Sequence, residues 1–299
     1  MHGYIYVLMA AALWGMIGPV SKLAFAGGAT PLAVAFWRAV MAWVLFGGHA
    51  VATGQVRVAR KDLPMFLLFG VLGVSLFYGS YQVAVKSGGA ALAAVLLYTA
   101  PAWVAVMSRV VLGEPLTPGK LLSILLTMLG VVGVAYGRQG GGEGLAVTPL
   151  GIVCGLTAGL TYALYYIFGK HYLKRYTTPT IFLYALPVGA LGLLPFAEFS
   201  FYPPSGWAAL AVLALFSTYG AYSVYYVGLK KVEASRAAVV ATLEPVIAAI
   251  LAFAWWGERF TLPGYLGAGL VLAGVLVLVA EESARRSGRP GIRPKPQPE

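Results

Sequence analysis

Two charged side chains, Arg38 and Glu244, fall inside long runs of otherwise uncharged, apolar residues. An ionised group in hydrocarbon is costly unless it meets a partner or water, so each is a functional candidate by default. Glu244 could bind a substrate ammonium or carry a proton, and Arg38 could bind a carboxylate. A structural ion pair, or an arginine reaching outward to the headgroups, is the other reading of the same residues. Polar-tipped rings form a second candidate set. Tyr219, Tyr222 and Tyr226 recur at the i, i+3, i+7 spacing of one helix face, and Tyr78, Tyr81 and Gln82 occupy the matching stretch earlier in the chain. Trp14, Tyr98, Trp103, Tyr162, Tyr165 and Tyr166 add rings within other runs. An apolar body with a hydroxyl or N–H tip suits a cavity for amphipathic solutes, and it equally suits an interface belt. The expected cavity is lined by Trp14, Tyr78, Gln82, Tyr98, Tyr162, Tyr222, Tyr226 and Glu244, with Arg38 as an ion-pair or carboxylate site.

Other chemistries find no residues to carry them. His2, His49 and His171 lie at the ends of apolar runs, and the one cysteine, Cys154, lies within one, so neither a disulfide framework nor a His- or Cys-based metal site is expected. No G-x-x-x-x-G-K-[ST] phosphate loop occurs, and no serine, histidine and acid share a depth. No catalytic residue, metal or cofactor is therefore expected, and the chain is not read as an enzyme. Pro101 and Pro245 each fall mid-run, where the missing N–H frees the carbonyls of Leu97 and Ala241 and predicts a hinge or a bend. Gly151, Gly155 and Gly159, and again Gly130, Gly133 and Gly137, predict close helix contacts.

The elements that must position these residues follow from composition. Of 299 residues 60% are hydrophobic and 10% charged, against about 25% charged in a soluble domain. With a mean hydropathy of +0.81, the bilayer is the expected solvent, at about 20 apolar residues per span. Ten runs can be read: Tyr4–Phe25, Leu32–Ala52, Leu63–Val85, Ala90–Leu112, Leu121–Tyr136, Leu150–Phe168, Thr180–Phe196, Trp207–Leu229, Ala237–Trp256 and Tyr265–Ala280. The boundary at Lys86–Gly89 is the softest. The first run is longer than a signal-peptide core and lacks a charged leader, so it is read as a span.

The net charge of +11 is distributed as loop charge, not as the basic face of a nucleic-acid binder. With the amino terminus inside, sixteen of the 21 Lys and Arg residues fall in inside segments and four in outside loops, Arg38 being intramembrane. The positive-inside rule then places both termini in the cytoplasm. At about 1.5 Å per residue, Arg38 lies about 10 Å from the outer surface and Glu244 about 12 Å from the inner one, close enough for long side chains to share a level. Residues 281–299, rich in Arg, Pro, Gly and Ser, read as a disordered basic cytoplasmic tail.

The chain also resembles itself. At an offset of 148, Trp14 meets Tyr162, Lys22 meets Lys170, and Thr30-Pro31 meets Thr178-Pro179. At an offset of 144, Tyr78 meets Tyr222, Pro101 meets Pro245, and Gly130 meets Gly274. Five spans per half make an inverted repeat, residues 4–137 and 149–280, with a site expected near the midplane between the halves.

Pro101 followed by Gly113-Glu114-Pro115-Leu116-Thr117, and Glu244-Pro245 followed by Gly257-Glu258-Arg259-Phe260-Thr261, resemble the EamA-type branch of the drug/metabolite transporter superfamily. The opening Ala12-Leu13-Trp14-Gly15 and Arg38 are similar too, over roughly residues 4–280. Arg38 and Glu244 are not duplicated; Leu186 and Ala100 stand at their counterparts. The resemblance implies an all-α, ten-helix carrier of small metabolites in the cell inner membrane, often an exporter of amino acids. With the aromatic set, this gives export of aromatic or other large neutral amino acids by alternating access, as a bacterial aromatic amino-acid exporter would do. A multidrug or other metabolite exporter and a pore-like facilitator are the alternatives. The expected partners are a small-molecule substrate and the lipid bilayer, with no nucleic acid; a monomer is one reading of an open oligomeric state.

Overall fold

A computed structural model describes residues 2–137, 148–257, 259 and 261–287, with the side chains of 88–91, 256 and 285–287 left out. Expectations that fell on 138–147, on Glu258 and Phe260 of the second Gly-Glu motif, and on 288–299 lie outside the described residues. All regular structure among the described residues is helical. Ten helices among the described residues are long and apolar enough to cross a membrane: α1 His2–Ala26, α2 Pro31–Ala52, α3 Leu63–Ser87, α4 Leu92–Leu112, α5 Pro118–Tyr136, α6 Pro149–Tyr172, α7 Thr178–Phe196, α8 Pro204–Lys231, α9 Ala234–Trp255 and α10 Leu262–Ala284.

Thr-Pro pairs start several of them. Thr30, Thr117 and Thr148 each accept a hydrogen bond from the backbone N–H three residues on, at 3.3, 3.3 and 3.0 Å, while the following proline fills a position whose N–H would be unpaired anyway. The Gly-Glu motifs end two helices. Gly113 and Gly257 are left-handed caps with φ of 70° and 68°, a region that a Cβ makes unfavourable.

The two mid-span prolines do not merely bend their helices. α4 breaks at Tyr98 and Thr99 and restarts at Ala100-Pro101; α9 breaks at Thr242 and Leu243 and restarts at Glu244-Pro245. Each proline thus sits in the first turn of a half-helix. α3 and α8 carry the second duplicated irregularity, π-helical stretches over Gly70–Leu76 and Leu213–Gly220. These stretches overlap at the 144 offset.

Small residues set the closest approach. A Cβ added at Gly137 would lie 2.1 Å from the Gly264 backbone, and one at Gly133 2.7 Å from Gly267, so α5 and α10 touch backbone to backbone. Gly155 and Gly159 receive Leu96 and Thr99 of α4 in the same way. Tyr4 hydrogen-bonds Glu282, bringing the start of α1 and the end of α10 to one face, called here the terminal end. The last helix continues to Ser287, past the tail boundary expected at 280. The reason is that Glu281 and Glu282 reach Arg236 at 3.6 and 3.7 Å, which holds the extra turn on the bundle.

Candidate functional site

The two helix breaks and the π stretches converge on one place. Glu244 is the first residue of the restarted half of α9, where the unpaired N–H groups and the helix dipole favour a carboxylate. Tyr98, at the matching break in α4, lies beside it. Across the space, Arg38 of α2 is 6% exposed and donates from Nε and Nη2 to Thr218 Oγ1, both at 3.3 Å. Its guanidinium carbon lies 5.9 Å from the Tyr78 ring centre. Among the described residues neither Arg38 nor Glu244 forms an ion pair within 4 Å. Arg38 is tied instead to a hydroxyl of α8.

Between them lies a cavity of about 140 Å³. An apolar cavity of about 150 Å³ holds a benzene molecule, which gives the scale. Of the expected residues, Trp14, Arg38, Tyr78, Tyr162, Tyr222 and Glu244 line it. Tyr98 stands behind Glu244. Gln82 and Tyr226 do not line it. Tyr81, not Gln82, turns toward the space, and Tyr226 lies one turn further along α8, fully buried against Gly169 and Phe182. Tyr219, on the same row, is drawn away by Phe46 and by a 2.9 Å hydrogen bond to His49.

The cavity floor on the terminal side is a stack of rings. Tyr165 lies parallel to Tyr222 at 5.2 Å, Trp14 meets Tyr225 at 5.1 Å, and Tyr225 meets Tyr166 at 5.5 Å. Below the rings the helices are tied by charge. Lys170 Nζ donates to the carbonyls of Leu229 at 2.6 Å and Val232 at 2.5 Å. Glu114 accepts from the backbone of Ala234 and Ser235 and from the Ser235 hydroxyl, at 2.6 to 3.1 Å, capping α9. Glu233 meets Lys120 at 2.6 Å and Arg236 at 2.8 Å. Partial burial pushes the Glu233 carboxyl up, but the hydrogen bonds and charges of Lys120 and Arg236 outweigh it and hold the group below its ordinary 4.5.

A transporter-family model matches residues 1–136 and 149–280, described as the EamA-like transporter family. The chain belongs to that family. It is a multi-pass membrane transporter. A relative in Archaeoglobus fulgidus, named only as a transporter, is 29% identical over 93% of this chain and 99% of its own. An inner membrane transporter of Salmonella typhimurium is 26% identical over 95% and 97%. A probable terminal-alkyne amino-acid exporter of Streptantibioticus cattleyicolor is 27% identical over 82% and 84%. A crystal structure of a protein at 20% identity superposes with a TM-score of 0.81 over 96% of this chain and 99% of that one, a likeness of fold.

In this EamA-like chain, sequence reasoning left out Ile17, Phe77 and Leu97 of the lining, and Thr218 behind Arg38. The three apolar residues carry no signal that separates them from lipid-facing neighbours. Thr218 did carry one, a hydroxyl eight residues before Tyr226 in a candidate helix, but nothing local pairs it with Arg38, 180 residues away.

Proposed function

We propose that this protein exports amino acids with large neutral, preferably aromatic, side chains by alternating access. The observation that carries the reading is the separation of charge across one aromatic cavity. A cation held by Thr218 and the carboxyl group of Glu244 line the same space with no ion-pair contact between them. A zwitterion complements both poles, and the walls of Trp14, Tyr78, Tyr162 and Tyr222 suit an apolar side chain. The amino-acid exporter among the relatives supports the class. The matched breaks in α4 and α9, the matched π stretches and the matched glycine caps support an inverted repeat of residues 4–137 and 149–280, the arrangement from which alternating access arises. In this reading both termini are cytoplasmic, and the sealed terminal end is the inner gate. Pro101 and Pro245, in the first turns of the half-helices, are the places where the halves swing.

The test is efflux from vesicles loaded with radiolabelled L-phenylalanine, with and without a pH gradient. Saturable efflux that falls when Tyr78 and Tyr222 are both replaced by alanine is the expected result. Each ring contributes about 1–3 kcal/mol of apolar contact. Full-rate efflux from that double variant, in protein that still reaches the membrane, would remove the cavity from the pathway.

A further inference from the structure

The two halves differ at the one place where the cavity could hold an anion. At the 148 offset the counterpart of Arg38 is Leu186, and at the 144 offset the counterpart of Thr218 is Val74. The counterpart positions, across α3 and α7, are therefore apolar: Val74 packs on the backbone of α7 at Gly189, and Leu186 is buried. Polar side chains at one pair of matched positions and apolar ones at the other mark Arg38 and Thr218 as departures from the repeat.

What the contact does is fix direction. Thr218 lies in the π stretch of α8, and its hydroxyl donates to the carbonyl of Leu213, five residues back, at 3.2 Å. In a regular helix a threonine hydroxyl bonds three or four residues back. The extra residue in the turn moves the hydroxyl, and π segments recur at functional sites for this kind of re-aiming. With its proton committed to Leu213, Oγ1 presents only lone pairs to Arg38, and both Nε and Nη2 donate to it. That uses one edge of the guanidinium. Nη1 is left without a protein acceptor among the described residues, while Arg38 lines the cavity.

We propose that Thr218 is the positioning residue that gives the cavity its carboxylate selectivity. It holds Arg38 by one edge so that Nη1 meets a single carboxylate on the solute. This rests on the amino-acid reading above and sharpens it. The substrate class is a monocarboxylate whose cationic group faces Glu244. A second carboxylate would meet Glu244 or the aromatic walls and is disfavoured at both.

Paired probes test it: L-phenylalanine, and L-phenylalanine amide, which keeps the ring and the ammonium but has no carboxylate. Thr218→Val is isosteric and removes the acceptor; Thr218→Ser restores it. The half-saturation concentration for phenylalanine should rise about tenfold in Thr218→Val, the scale of one hydrogen bond to a charged group. The maximal rate and the amide's half-saturation concentration should stay within about twofold, and Thr218→Ser should return the wild-type value. An unchanged half-saturation concentration for phenylalanine, an equal rise for both probes, or no rescue by serine would each overturn the role of Thr218 while leaving amino-acid export standing. A wild-type protein that moves neither probe would remove the export reading and this one with it.

Discussion

Lys170 ties α6 to the end of α8 at the terminal end. Its ammonium reaches from α6 to the carbonyls that end α8 and to the residue after it, at 2.6 Å to Leu229, 3.4 Å to Lys230 and 2.5 Å to Val232. Those carbonyls close the C-terminal end of the helix and carry its partial negative charge, so a cation there is doubly favoured. A hydrogen bond involving a charged group is worth about 1.5–3 kcal/mol. Lys170 is only half-buried, so two strong bonds together are discounted for screening to about 2 kcal/mol. Lys170→Met keeps the length of the stem and its apolar contacts while deleting the ammonium. If the tie helps hold the terminal end shut, the opening equilibrium shifts by about 30-fold, at about 1.4 kcal/mol per factor of ten. Hydrogen–deuterium exchange in detergent reads that equilibrium directly. Peptides spanning Tyr225–Arg236 should exchange about ten to thirty times faster in the variant, while those of α5 and α10 should not change. Unchanged protection at the end of α8 would refute the reasoning, because the ammonium would then contribute nothing to closure. Loss of protection throughout the molecule would refute it too, since the tie would serve the whole fold and not a gate.

Gly137→Ala should lower the thermal unfolding midpoint in detergent by the equivalent of about 1–3 kcal/mol, since the new Cβ meets Gly264 backbone at 2.1 Å on a helix that cannot step aside. Gly269→Ala on the opposing helix meets nothing within 4 Å and should be neutral or slightly stabilising. Equal midpoints for the two variants would contradict the backbone contact. Glu233 has a folded-state value below its unfolded one, so its contribution is fully present above about pH 5 and is lost as the pH falls through the depressed value. The wild-type unfolding midpoint should therefore fall below about pH 4. In Glu233→Gln it should already be low at neutral pH, because Lys120, 1% exposed, loses its carboxylate. The acid limb of the variant should be flatter than that of the wild type, and a limb of unchanged slope would rule Glu233 out as its source.

The number and limits of the helices were legible in the sequence because the bilayer enforces a local rule: about 20 apolar residues in a row, with polar breaks between. The ten runs read from hydropathy became ten helices, differing mostly by a few residues at the ends. Thr-Pro starts and Gly-Glu ends are local as well, since a hydroxyl cap or a positive φ is decided within three or four residues. The duplicated offsets were visible for the same reason, as were Arg38 and Glu244, because a charge inside an apolar run needs no partner in view to be noticed.

Which tyrosine faces what was not local. The Tyr219, Tyr222, Tyr226 row assumes an unbroken 3.6-residue period, but the π stretch ends at Gly220 and changes the phase between Tyr219 and the other two. Only Tyr222 reaches the cavity. The prolines announced a disturbance but not its form. A bend and a complete two-residue break both remove the same hydrogen bond, and only the packing of α4 and α9 selected the break. The tertiary structure also decided that Arg38 bonds Thr218 and that Glu244 lies beside Tyr98, pairs 180 and 146 residues apart in sequence. Hydropathy assigns a residue its solvent. The direction of a side chain within that solvent is set by neighbours from other helices, and a single sequence holds no record of them.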